Sequence, residues 1–209
     1  MLHGQNWTIC LSVRKTVKTM NKIVLAAIVA LSVSCWGLNA QNEIGYDPEV
    51  FALESGRGQL SKEYFGVKLA DVKKDDKGLY QLSDSQRETI TRNILGDHPC
   101  SLQWISWKRF GKVTFTKTTD GRIYCKGGQN GDNGDYLKID GYVTVVTPLH
   151  IRITGTIITK VSHINGGKPY TRKGTYNFTI AGARKYWRMR EMNNPSPDGG
   201  TDYVDIYFC

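Results

Sequence analysis

The chain has 209 residues, with 28 Lys and Arg against 19 Asp and Glu, a formal net charge of +9. Forty per cent is hydrophobic, 22% is charged, and 22 Gly and 11 Tyr are present, which excludes a disordered tail, a coiled coil and a polytopic membrane protein. That length holds one ordinary domain with room for a short appendage.

A targeting pattern comes first along the chain. The stretch Ile23 to Leu38 (IVLAAIVALSVSCWGL) carries no charge, follows Asn21-Lys22 and runs into Asn39-Ala40-Gln41. A basic start, an apolar core and a small residue at the exit predict a secretory signal peptide within residues 1–40. It begins at Met20, with residues 1–19 an upstream extension, or it includes them as a long leading region. The apolar run of about sixteen residues falls short of the roughly 20 that span a bilayer. The mature start is expected between Cys35 and Gln41, and the destination is the periplasm, the cell surface or the medium. Cys35 offers an alternative lipid anchor, although Ser32 stands where a lipobox carries Leu or Val; a membrane is expected only if Cys35 is acylated.

Removing residues 1–40 takes Arg14, Lys15, Lys18 and Lys22 and no acid, leaving 24 basic and 19 acidic side chains, a net +5. That charge is compatible with anionic partners without requiring them. Cys10 and Cys35 leave as well, so Cys100, Cys125 and Cys209 remain. An odd count in an oxidising compartment predicts one disulfide and one spare thiol, with the pairing open.

Residues 41–99 read as an irregular segment containing one helix. Within it Tyr64-Phe65-Gly66-Val67 is read as a short strand, and 71–77 (DVKKDDK) is a charged run. The helix is expected over 84–95. Ser83 or Ser85 can cap it, with Gln86 or Glu88 completing a capping box. Ile90, Ile94 and Leu95 give its apolar edge, Gly96 stops it and Pro99 follows.

From about residue 100 to the end the apolar period becomes two. In the run from His150 to Val161, Ile151, Ile153, Ile157 and Val161 share one parity, while Arg152 and Lys160 take the other. The same alternation appears at Val113/Phe115, Ile123/Cys125, Leu137/Ile139, Val143/Val145, Tyr176/Phe178/Ile180 and Val204/Ile206/Phe208. Asp120-Gly121, Asp140-Gly141, Asn165-Gly166-Gly167 and Ala181-Gly182-Ala183 are read as the turns. Short reversals make neighbours antiparallel. The fold class is therefore all-β with one short helix: an antiparallel up-and-down meander of about eight strands. It closes into a calycin-like barrel or a two-sheet sandwich, with the helix plugging an end.

Recognisable catalytic motifs are missing: no GxSxG, HExxH, GxxxxGK[ST] or GxGxxG stands in the chain, and a non-catalytic role without cofactor is expected. His98 lies two residues from Cys100, the spacing of a thiol and its base, but a structural cysteine is the favoured reading. Residues 130–135 (NGDNGD) cluster oxygen ligands, yet no Glu stands at the twelfth place of an EF-hand; a hairpin loop is expected and no metal.

The last strands carry the candidate site. Trp187 and Met189 fall on the face of Val204, Ile206 and Phe208, and the opposite face gathers Tyr186, Arg188, Arg190, Tyr203, Asp205 and Tyr207. Arg172 and Tyr170 are expected to join them. Tyr186, Arg188, Tyr203, Tyr207 and Arg172 are thus the candidate ligand-binding residues. Three readings stay open: sugar rings stacked on tyrosines, a carboxylate clamped inside a barrel, or a paired amphipathic face with Arg188 against Asp205. The second resembles the Arg-and-Tyr head-group clamp of the fatty-acid-binding and lipocalin barrels in architecture and side-chain type. No lipocalin Gly-x-Trp stands near the first strand, where Trp104-Ile-Ser-Trp107 is the nearest segment. The expected function is an exported, non-catalytic barrel-like protein binding a glycan or small amphipathic ligand in the cell envelope. The alternative is an envelope protein whose sheet face contacts another protein. Export argues against nucleic acid, despite the basic and aromatic composition.

Overall fold

The computed structural model describes residues 59–194 and 200–208. The expected signal peptide (residues 1–40) with Cys10 and Cys35, and Cys209, lie outside them, as do residues 41–58 of the N-terminal segment. Among the described residues no helix is long and apolar enough to cross a membrane.

Two small hairpins come first: β1 (Glu63–Tyr64) with β2 (Val67–Lys68), and β3 (Lys73–Lys74) with β4 (Tyr80–Gln81). The expected strand at 64–67 is instead the reversal of the first hairpin. Phe65 and Gly66 take φ of 52° and 80°, the pair of left-handed conformations that a two-residue turn requires. Phe is a costly residue there, and its ring gives the reason, since it stacks on Trp187 at 4.9 Å and 12°.

The helix α1 (Asp84–Asn93) starts in the capping box read from the sequence: Gln86 N donates to Ser83 Oγ, and Ser83 N to Gln86 Oε1. It buries Ile90 and Ile94 against the barrel. The Arg87 guanidinium donates to the Val145 carbonyl, and the His98 ring nitrogens lie 2.8 Å from the Ile94 oxygen and 2.9 Å from the Tyr207 oxygen. One end of the barrel, called the lower end below, is closed in this way.

Eight strands form a closed antiparallel barrel: β5 (Gly96–Leu102), β6 (Gly111–Lys117), β7 (Ile123–Asn130), β8 (Tyr136–Thr147), β9 (His150–Lys160), β10 (Tyr170–Thr179), β11 (Tyr186–Met189) and β12 (Val204–Tyr207). Each pairs with its successor, and β12 returns to β5 through Val204↔Leu102 and Ile206↔Cys100. Closure leaves no free edge, as the meander reading required. Two boundaries differ from the sequence reading. The barrel begins at Gly96, with Pro99 exposed inside β5 rather than in a helix-exit turn. Asp140-Gly141 lies in the middle of β8 and is no turn. Gly141 pairs with Gly155 on β9, and a Cβ on Gly155 would stand 2.2 Å from the Asp140 carbonyl oxygen. Backbone approach explains that glycine; reversal does not.

The interior is packed. Phe115, Phe178, Trp187, Leu137, Ile139, Ile151, Ile153 and Ile157 are each at most 1% exposed, so inward parity was correctly read on β9. Cys100 and Cys125 are free and buried there, and burial pushes both thiols up to about 12. They cannot bridge each other. Their partners on β6, Gly111 and Phe115, are four residues apart, roughly 13 Å of strand, against the roughly 7 Å limit between Cα atoms of a disulfide. Neither thiol forms the disulfide expected from the cysteine count, and His98 offers Cys100 no ring nitrogen, since both lie against carbonyls.

Candidate binding face

Strand parity puts four of the five candidate residues together on the outside of the barrel. Arg188 pairs in register with Asp205, which pairs with Ser101 on β5. The guanidinium donates through Nε and Nη2 to the two carboxylate oxygens, both at 2.7 Å. A bidentate fork of this kind fixes orientation as well as charge. The side chains are only 10% and 0% exposed, so this is a buried pair rather than the solvated cross-strand pair that sequence alone allowed. Burial pushes the Asp205 carboxyl up, against the pull of Arg188.

Tyrosines provide the cover. The Tyr203 ring lies 4.2 Å from the Arg188 guanidinium carbon and Tyr186 5.3 Å from it. Tyr207 meets Tyr186 at 5.1 Å, and its hydroxyl is within 3.2 Å of Ser101 Oγ. Burial raises the Tyr207 phenol as well. Phe110, unforeseen in the sequence, extends the cluster edge-to-face on Tyr207 at 4.9 Å and is 49% exposed. It sits in the 103–110 connection with the exposed Trp104 and Trp107, where no periodicity marks a face; three aromatics in seven residues were the available signal.

Arg172 is elsewhere. It shares the inward parity of Tyr176 and Phe178 on β10 and closes the opposite, upper end of the barrel. Its Nη2 donates to Asp202 Oδ2 (2.6 Å) and the Asn193 carbonyl (2.9 Å), and Nη1 to Thr159 Oγ1 (3.2 Å). Asp202 also accepts from Trp104 Nε1 and Asn194 Nδ2. Tyr170 stays with Arg172, 4.3 Å from its guanidinium carbon. No interior clamp of Arg and Tyr around a hollow exists in the described residues.

In the 130–135 loop Asp132 binds Arg109 and Asp135 accepts from Ser162, so the two carboxylates are turned to different partners.

The PM1083 family model matches residues 72–208, which contain α1 and all eight barrel strands. The chain belongs to the PM1083 family. A relative, "Uncharacterized protein PM1083" of Pasteurella multocida (strain Pm70), is 39% identical over 123 residues, 59% of this chain and 78% of the relative. No solved structure matches the chain. The family is thus tied here to a filled eight-stranded barrel with one capping helix.

Proposed function

We propose that the protein is an exported, non-catalytic interaction module that docks another envelope protein through the outer face of β11, β12 and β5. The observation that carries this reading is where the aromatic and arginine side chains stand. The barrel interior is packed, while Tyr186, Tyr203, Tyr207 and Phe110 cluster outside around a buried Arg188–Asp205 pair. A filled barrel leaves no internal volume for an amphipathic ligand. Aromatic residues and Arg held rigid at a partly exposed face are the side chains that dominate protein interfaces. The rings also weigh against a sugar platform. Phe110 meets Tyr207 at 68° and Tyr207 meets Tyr186 at 49°, so neither of these pairs presents one flat surface. Tilted rings interdigitate with side chains instead.

The test is site-specific photo-crosslinking in the source cells, with the photoreactive residue at Phe110 and, as a control, at Lys173 on β10. One discrete protein adduct from position 110, absent from 173 and lost on Tyr207→Ala, is expected. Equal labelling from both positions, or saturable glycan binding that Phe110→Ala abolishes, overturns the reading.

A further inference from the structure

We propose that a cavity at the lower end of the barrel is a binding site for a small, free amphipathic anion. Its lining shares no residue with the face described above, although Arg184 also lies 5.4 Å from the Tyr186 ring, and its success or failure leaves that reading untouched. The cavity holds about 570 Å3, within the range of pockets that enclose small molecules. One wall is the β1–β2 hairpin (Glu63, Tyr64, Phe65), another is the 183–185 turn (Arg184, Lys185), and Phe208 lies between them.

The walls divide by chemistry. Tyr64, Phe65 and Phe208 form one interlocked apolar surface, with Phe65 and Phe208 at 4.9 Å and Tyr64 at 6.4 Å from each. Arg184 and Lys185 bring two positive charges to the opposite side, against the single carboxylate of Glu63. A ring or short chain fits the first surface and an anionic head the second, because a charge is held best where opposite charge is already fixed at the mouth of an apolar site.

Two linked observations single out the aromatic wall. Phe65 is held at φ 52°, a left-handed conformation that an aromatic residue adopts at a cost, and such strain collects at ligand clamps. Directly behind it Trp187 is fully buried, stacked on Phe65 with Phe208 tilted against it, and its Nε1–H is the buried side-chain polar atom that finds no acceptor among the described residues. A buried donor left unpaired is an exception that calls for a partner. Phe65 is half-buried at a hairpin tip and lies flat on the indole, so a ligand seated against Phe65 changes the surroundings of Trp187.

Naphthalene-1-acetate is the probe, titrated into the full chain by calorimetry and by NMR of the 15N-labelled indoles. Expected are saturable one-to-one binding, a shift of the Trp187 Nε1–H resonance with Trp104 and Trp107 unmoved, and at least tenfold weaker binding of the cationic 1-naphthylmethylamine. Lys185 and Glu63 are exposed, so Lys185→Glu and Glu63→Gln keep the fold; the first weakens naphthalene-1-acetate at least tenfold and the second tightens it two- to threefold. Equal affinity for anion and cation, insensitivity to Lys185→Glu, a shift at Trp104 or Trp107 instead, or no binding at millimolar probe overturns the proposal. Lys185-dependent sedimentation with phosphatidylglycerol vesicles would also overturn it, by making a lipid surface the source of the anion.

Discussion

The two ends of the barrel are sealed by opposite chemistry. At the upper end the Asp202 carboxylate accepts from Arg172 (2.6 Å), Thr159 (3.2 Å), Trp104 (3.1 Å) and Asn194 (3.0 Å). At the lower end Trp187 lies between Phe65 and Phe115 with Phe208 tilted against it, and its one polar atom is unpaired. A polar seal has one arrangement in which every group is satisfied, and each member depends on the others. An aromatic seal is held by area and dispersion, which change gradually when a ring moves. Rigidity is therefore expected at the upper end. The lower end has latitude, and the cavity is there.

The largest effect should come from breaking the polar seal. Arg172→Ala leaves Asp202 buried without its cation, and losing one partner of a buried pair costs about 3–5 kcal/mol. Urea unfolding measures it. Replacing both partners, Arg172→Met with Asp202→Leu, should recover most of the loss, because the desolvated charges go together. A single variant that loses less than about 1 kcal/mol would mean that the network does not close the end.

The next effect belongs to the lower end and depends on pH. His150 is buried beside it, its Nε2 donating to Asn177 Oδ1 at 2.8 Å, and burial pushes its imidazole down to about 4. The unfolded chain, at the ordinary 6.5, therefore takes the proton first. Stability is full above pH 6.5 and falls as the pH drops toward 4, by about 3 kcal/mol in all. Asp205, pushed up by burial, works in the other direction and offsets part of the loss at the acid limit. Denaturation curves at pH 7, 5.5 and 4.5 should show the slope, and His150→Gln should flatten it. A slope unchanged in that variant would assign the acid sensitivity to other groups.

Arg172 shows how much of this was legible and where legibility ended. Counting back by twos from Phe178 through Tyr176 places Arg172 inside, so the parity that correctly sorted Trp187 from Arg188 held the answer. Its charge hid it, because nothing in the sequence shows that Asp202, thirty residues on, will meet it at the barrel end. The capping box of α1 was legible because Ser83 and Gln86 are local. Gly141 and Phe65 were misread for one shared reason. A glycine permits both a turn and a close approach, and a hydrophobic residue fits both a strand and a plug; only the neighbouring chain decides. Burial of the Arg188–Asp205 pair was only half legible: parity put Tyr186, Tyr203 and Tyr207, each two residues from a member of the pair, on its face, but parity does not show that the rings close over the charges.

The smallest effect sharpens the contrast between the ends by leaving both intact. Arg152 lies on β9 with its side chain on the exposed outer wall, where Nε reaches Asn177 Oδ1 at 3.3 Å. It carries the same charge as Arg172 and sits in the same kind of antiparallel strand, so only burial and partner differ. Arg152→Ala should stay within about 0.5 kcal/mol of the parent, because an exposed, weakly bonded cation gains little from folding. The comparison with Arg172→Ala then isolates what enclosure adds to one guanidinium. If Arg152→Ala instead cost about 2 kcal/mol or more, removing any arginine from this barrel would be expensive in itself. The loss at Arg172 would then say nothing about a polar seal.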